Sequence, residues 1–263
     1  MGRPNFKDDF GGKYILIEPG TFVIGDEVGD GLPREYPTRE VEILNPYFIG
    51  ERLVTQAHWT TIMGNNPAKF SEGWSAGLRP VESVSYFDCI EFIAAINETD
   101  TNNMHLGLHG KWRLPSEAEW EYCAKAGTNT KWHFGNSDSD LDDYGWHAGN
   151  AGASTREVGS KKPNPWGLYD MHGCVSEWCL DNYHRQYKPK PTQAPFYDSS
   201  GIFIHRGGSW FTESDSTLGH LHVVIQWVQK KVTVLASVWF GNHMNDYSSS
   251  TIIPNDGSKS CSS

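Results

Sequence analysis

Residues 113–127 read RLPSEAEWEYCAKAG. Ser116 stands three places ahead of Glu119, the S-x-x-E spacing in which the serine hydroxyl takes the N3 amide and the glutamate reaches back to the serine amide. The pattern predicts a helix that starts at Ser116 and stops at Gly127, with Trp120 and Cys123 turned inward. Two more helices follow the same logic upstream. Thr55 caps one that ends at Gly64, with Trp59 and Ile62 or Met63 on its inner side. Ser85 opens the other, with Asp88 as its N3 acid and Cys89, Phe92, Ile93 and Ile96 as an apolar stripe at helical spacing.

Strands surround these helices. KYILIEPGTFVIG (13–25) reads as two short strands broken at Pro19 and Gly20, a hairpin-like opening. Residues 25–40 form a polar loop, and VEILNPYFIGERLV (41–54) gives further strands around Asn45 and Pro46. From 128 to about 210 the chain is mostly loops studded with Trp, Tyr, Gly and Pro. No linker or internal repeat divides it. The expectation is an α+β fold: a single loop-rich domain with little regular secondary structure. Its parts are an N-terminal extension (1–12), the domain itself (13–217) and an atypical C-terminal segment (218–263).

Bulk composition narrows the partners. The 22 basic against 32 acidic side chains give a formal charge of −10. Nucleic acid and anionic membranes both need a basic footprint, so neither is expected as a partner. No apolar run has the length of a membrane span, and the opening MGRPNFKDDFGG has no apolar signal core. As given, the chain reads as cytoplasmic; an extracytoplasmic placement follows only if a targeting segment precedes it. Five cysteines, at 89, 123, 174, 179 and 261, make an odd number and argue against a complete disulfide framework. Cys174 and Cys179 lack the C-x-x-C spacing of zinc or redox pairs and read as structural.

Several apparent motifs fail on inspection. SDSDLDDYG (137–145) imitates a calcium loop, but position six is Asp143 instead of Gly and position twelve is Gly149 instead of Glu. It reads as a solvated acidic loop. GGSW (207–210) is not the G-x-S-x-G elbow, and nothing adjacent to Ser209 supplies a base. His220 and His222 form an H-x-H pair without a third ligand nearby.

Taken together, RLPSEAEWEYCAKAG (113–127), NPWGLYDMHGCVSEWC (164–179) and HRGGSW (205–210) resemble the formylglycine-generating enzyme, or sulfatase-modifying factor, family. ILIEPGTFVIGDE (15–27) and PYFIGERLVTQAHW (46–59) match it in the same order. The resemblance covers roughly residues 13–211 and implies a domain related to the C-type lectin fold. It also implies a structural Ca2+, held by Asp170 and Glu177 through side chains and by Gly173 and Val175 through carbonyls. A hard cation with six to eight oxygens suits two carboxylates around a glycine turn. Cys174 stands where Asn is usual, and Ser176 where Trp is usual; neither change removes a proposed ligand.

Function within the family is not uniform. Some members oxidise a cysteine of a client sulfatase with copper held by two cysteines; others join sulfur to histidine derivatives; others are non-catalytic binders. Carried over, the copper cysteines fall on Thr212 and Thr217. Copper(I) prefers thiolates, and a threonine hydroxyl is a hard, weakly acidic oxygen. No cysteine lies between Cys179 and Cys261 to replace them. The expectation is therefore a domain without the copper site, binding an unknown ligand or protein partner. Ser209, Trp210, Phe211, Glu213 and Asp215 are its candidate contact residues. The alternative is an oxidoreductase of the formylglycine-generating type acting on a protein cysteine, or an inactive paralogue.

The C-terminal segment departs from the family ending, a GFR followed by an apolar strand. Back-translated with suitable codons and read two nucleotides later, residues 223–240 can give a polar run, a GFG and an apolar finish. Two readings stand: a frameshift after about Trp210, or genuine divergence with VTVLASVWF (232–240) as the last strand.

Overall fold

The computed structural model describes residues 2–26, 35–100, 104–183, 193–198, 200–213, 224–226 and 237–240. The three capped helices form where the local signals put them. In α1 (Gln56–Met63) the Thr55 hydroxyl accepts the His58 amide, and Gly64 closes the helix in the left-handed region. α2 (Tyr86–Thr99) and α3 (Glu117–Lys125) each carry a complete capping box, Ser85 with Asp88 and Ser116 with Glu119. The left-handed residue that ends α3 is Ala126, one place before Gly127.

Six strands make the main sheet: β1 (Asn5–Lys7), β2 (Lys13–Ile17), β5 (Tyr47–Gly50), β11 (Ser237–Phe240), β7 (Leu108–Arg113) and β6 (Met104–His105), in that spatial order. All described pairings are antiparallel. Residues 1–12 thus contribute an edge strand, with Asp8 accepting the Phe10 and Gly12 amides at the turn into β2. Ser237–Phe240, within the 232–240 stretch, lies between β5 and β7.

The expected opening hairpin does not form. β2 pairs with β1 and β5, whereas β3 (Gly20–Ile24) pairs with β4 (Arg39–Ile43) in a separate two-stranded sheet. Glu18 and Pro19 separate the strands without folding them back, and each buries its apolar residues against a different neighbour. The acidic run also differs from a loop: it forms a 3-10 turn and then the single helical turn α4 (Leu141–Tyr144), with its acids exposed.

Alternation along β2 and β5 splits the core, since successive strand side chains point to opposite faces. Ile15, Ile17, Tyr47 and Ile49 join Trp120 and Cys123 of α3, the β3–β4 residues Phe22, Ile24, Val41 and Ile43, and Leu168, Met171 and Cys174. Tyr14 and Phe48, on the other face, join Trp59 of α1 and the α2 stripe Cys89, Phe92, Ile93 and Ile96. Trp59 stacks on Phe92 at 4.9 Å.

Every residue of α3 is buried, its charged residues included. Glu119 takes a two-pronged bond from Arg113 at 2.6 and 2.7 Å. Glu121 pairs with Arg206 and accepts the Gly25 amide. Such pairs are stable only when geometry and hydrogen bonds offset desolvation. Arg206 belongs to the second sheet, in which β9 (Phe203–Arg206) runs between β8 (Glu177–Asn182) and β10 (Val224–Gln226). Register places Glu177 opposite Arg206. The turn before β8 and the turn after β9 are therefore neighbours, and together they make the candidate site.

Candidate functional site

The turn that enters β8 is built on Asn164, whose side-chain oxygen accepts the Trp166 and Leu168 amides while its amide donates to the Cys123 carbonyl. Beyond it the backbone visits the left-handed region at Asp170, Gly173 and Cys174. A β-carbon on Gly173 would collide with the Trp146 carbonyl, so glycine alone fits there. The Cys174 amide donates to that carbonyl at 2.7 Å.

This path brings two carboxylates into the interior. Asp170 is 2% exposed and Glu177 fully buried. One oxygen of Asp170 accepts the Gly159 amide at 2.7 Å, and one oxygen of Glu177 accepts the Trp120 indole at 3.1 Å. The second oxygen of each has no protein partner. Burial pushes Asp170 up to about 6, against the opposing pull of the Gly159 amide and Arg52. Burial pushes Glu177 up to about 8, with the Trp120 indole opposing and the Asp170 charge adding to it. Buried polar atoms are ordinarily paired, so two unpaired carboxylate oxygens in one region mark a demand for positive charge. A hard cation with oxygen ligands answers it. Among the described residues no group of three or more His, Cys, Asp or Glu gathers to hold a metal. Any ion here would complete its shell with carbonyls and water. Val175 is buried beside the two acids in sequence, and the Gly173 carbonyl accepts the Val175 amide at 2.8 Å, leaving it a second lone pair.

The turn after β9 begins with Gly207 and Gly208, both in the left-handed region. Space above Gly207 is closed by the Trp120 ring at 3.1 Å, the Met171 carbonyl at 3.5 Å and Glu177 at 3.7 Å. Thr212 folds back on Ser209: its hydroxyl accepts the Ser209 amide at 3.0 Å and bonds the Ser209 hydroxyl at 2.9 Å. Its carbonyl accepts the Ala148 amide.

Of the expected contact residues, Ser209 is 4% exposed, with its hydroxyl held by Thr212. Trp210 is half-buried, Phe211 is 67% exposed and Glu213 is exposed. Asp215 and Thr217, like His220 and His222, lie outside the described residues. Sequence reasoning passed over two aromatics. Phe70 meets Trp210 edge-on at 5.3 Å, and Trp74, on the same loop, is 94% exposed. Their signal was two large aromatics inside a Gly-, Ser- and Asn-containing loop (64–80) where no core needed them. That loop is pinned from below, since Gln56 donates to the Phe70 carbonyl and Glu82 accepts the Phe70 amide.

Among the described residues, no helix is long and apolar enough to cross a membrane. Residues 5–222 match the model of the sulfatase-modifying factor enzyme 1-like domain. A chaperone protein LppX of Paenibacillus barcinonensis is 29% identical, over 80% of this chain and 81% of its own length. A formylglycine-generating enzyme of Streptomyces coelicolor is 28% identical, over 74% and 78%. Among solved structures, the Treponema denticola variable protein 1 superposes with a TM-score of 0.76 at 26% identity, covering 89% of this chain and 98% of that one.

Proposed function

We propose, for a chain that belongs to the sulfatase-modifying factor enzyme 1-like domain family, a non-catalytic role: recognition of a ligand or protein partner by the surface at the 207–213 turn. Trp210, Phe211 and Glu213 are its contact groups, with Phe70 and Trp74 extending the aromatic surface. One Ca2+ site in the 170–177 turn belongs to the same proposal. Asp170 and Glu177 would hold that ion through carboxylates, and Gly173 and Val175 through carbonyls; bound there, it neutralises buried negative charge.

The observation that carries this reading is Thr212. Its hydroxyl is committed to the amide and hydroxyl of Ser209 at the place where the family's oxidases need a thiolate. The four described cysteines do not substitute. All are buried, and burial pushes each thiol well above its usual range, away from the thiolate that copper(I) takes.

Titration of copper(I) against a chromophoric competing chelator tests the assignment. The expected result is no stoichiometric complex. A tight one-to-one copper(I) complex would overturn it in favour of the rival reading, an oxidoreductase acting on a protein cysteine.

A further inference from the structure

The calcium turn and the recognition turn touch at successive positions. The Trp210 amide donates to the Cys174 carbonyl at 2.9 Å, so a residue that bears the recognition surface hangs from the metal turn by its backbone. Ser176 donates its hydroxyl to the Gly208 carbonyl at 3.0 Å. Gly207 packs against the Met171 carbonyl and Glu177, and Arg206 is the cross-strand neighbour of Glu177. Four of the five residues from 206 to 210 therefore rest on the segment 171–177.

We infer that these two turns are one mechanical unit, in which cation binding between Asp170 and Glu177 sets the position of Trp210 and Phe211 and makes recognition at that surface calcium-dependent. The inference rests on the recognition role proposed above and names its regulation. Its physical basis is the pair of carboxylate oxygens that no protein group satisfies. Without a cation the 170–177 turn lacks the partner that would fix those oxygens, and its backbone also holds Trp210 and Gly208. A cation held there would add a constraint to the turn, and through the Cys174 carbonyl and the Ser176 hydroxyl to Trp210 and Gly208. Coupling of this kind needs a contiguous set of contacts with two arrangements, and it acts equally in both directions: a partner that fixes Trp210 must tighten calcium binding by the same factor.

Ser176 sharpens the case. The family resemblance places a tryptophan there, and this chain has a serine whose hydroxyl reaches the glycine turn. The substitution replaces a bulky packing contact with a directional tether between the two turns.

The experiment is amide exchange of the full chain followed by NMR, in calcium and in excess chelator, with thermal melts run on the same samples. The Trp210 amide is expected to exchange about fivefold to a hundredfold more slowly in calcium, alongside a calcium-dependent rise in the melting temperature. The Trp59 amide, bonded to the Thr55 carbonyl within α1, reports any general stabilisation and is expected to change less. In Ser176→Ala, which alters no proposed ligand, the melting rise is expected to persist while Trp210 loses a large part of its added protection. A melting rise with unchanged Trp210 exchange would overturn the coupling and leave the cation reading standing. No melting rise and no added protection would overturn the cation site, and the coupling with it. Neither outcome touches the assignment of Thr212, which the copper titration tests separately.

Discussion

Glu177→Gln is expected to raise stability in chelator and to abolish the response to calcium, so that calcium lifts the wild-type melting curve toward that of the variant. Glu177 is fully buried, its second oxygen is unpartnered, and burial holds its acid near 8 instead of 4.5. The folded apo protein therefore holds a proton that the unfolded chain releases, and the cost of keeping it grows as pH rises from about 4.5 to about 8. A tenfold change in proton affinity between the two states corresponds to roughly 1.4 kcal/mol, so at pH 7 the chelated protein forgoes on the order of 3 kcal/mol. Glutamine has nearly the same shape and no charge to bury, and it removes that cost. For a domain of this size the gain is about 5–10 °C in melting temperature. Calcium at a hundredfold excess over its dissociation constant would stabilise the wild type by about 2.7 kcal/mol, and it would give the variant nothing. Differential scanning calorimetry at pH 5 and pH 7.5, each with calcium and with chelator, reads all of this. The gap between chelated proteins should be small at pH 5 and wide at pH 7.5. A glutamine variant that melts below the chelated wild type at pH 7.5, or that still responds to calcium, would refute the argument.

Two further predictions concern the frame around the site. Arg206→Met would take the arginine from Glu121 and Glu117, leaving Glu121 with Lys125 and the Gly25 amide, and is expected to cost about 3 kcal/mol, read as a lower urea midpoint with unchanged slope. His133, stacked on His172 and walled by Phe134 and Tyr144, is pushed by burial down to about 4. The unfolded chain takes up a proton near 6.5 and the folded chain does not, so His133 lowers stability as pH falls from about 6.5 to about 4, and His133→Gln should flatten that slope in urea melts.

Much of the helical framework was legible because its signals are local. Ser85 with Asp88 and Ser116 with Glu119 close bonds across three residues, and nothing distant is needed to read them. The apolar stripe of α2 was equally plain. The acids of α3 were not: on a sequence, Glu117, Glu119 and Glu121 look like a solvated helix face. They are buried because Arg113 meets Glu119 and Arg206 meets both Glu117 and Glu121, the last from 85 residues away. Strand partners were misread for the same reason. A short apolar segment on either side of Pro19 fits a hairpin as well as it fits two separate sheets, and only the available neighbours decide.

At the site, the sequence alone determined the chemistry on offer. It put threonines where thiolates would sit, spaced Asp170 and Glu177 around a glycine, and gave the 207–213 turn its aromatics. These are properties of residue identity and of separation along a few bonds. Tertiary structure decided the rest. It buried Ser209 beneath Thr212, set Phe70 against Trp210, and left two carboxylate oxygens without partners. It also joined the 170–177 turn to the 207–213 turn, because the antiparallel register of β8 and β9 brings together residues some thirty positions apart. Pairing across that distance depends on which strand edges and apolar faces remain to be covered once the whole chain has collapsed, and no local pattern encodes it.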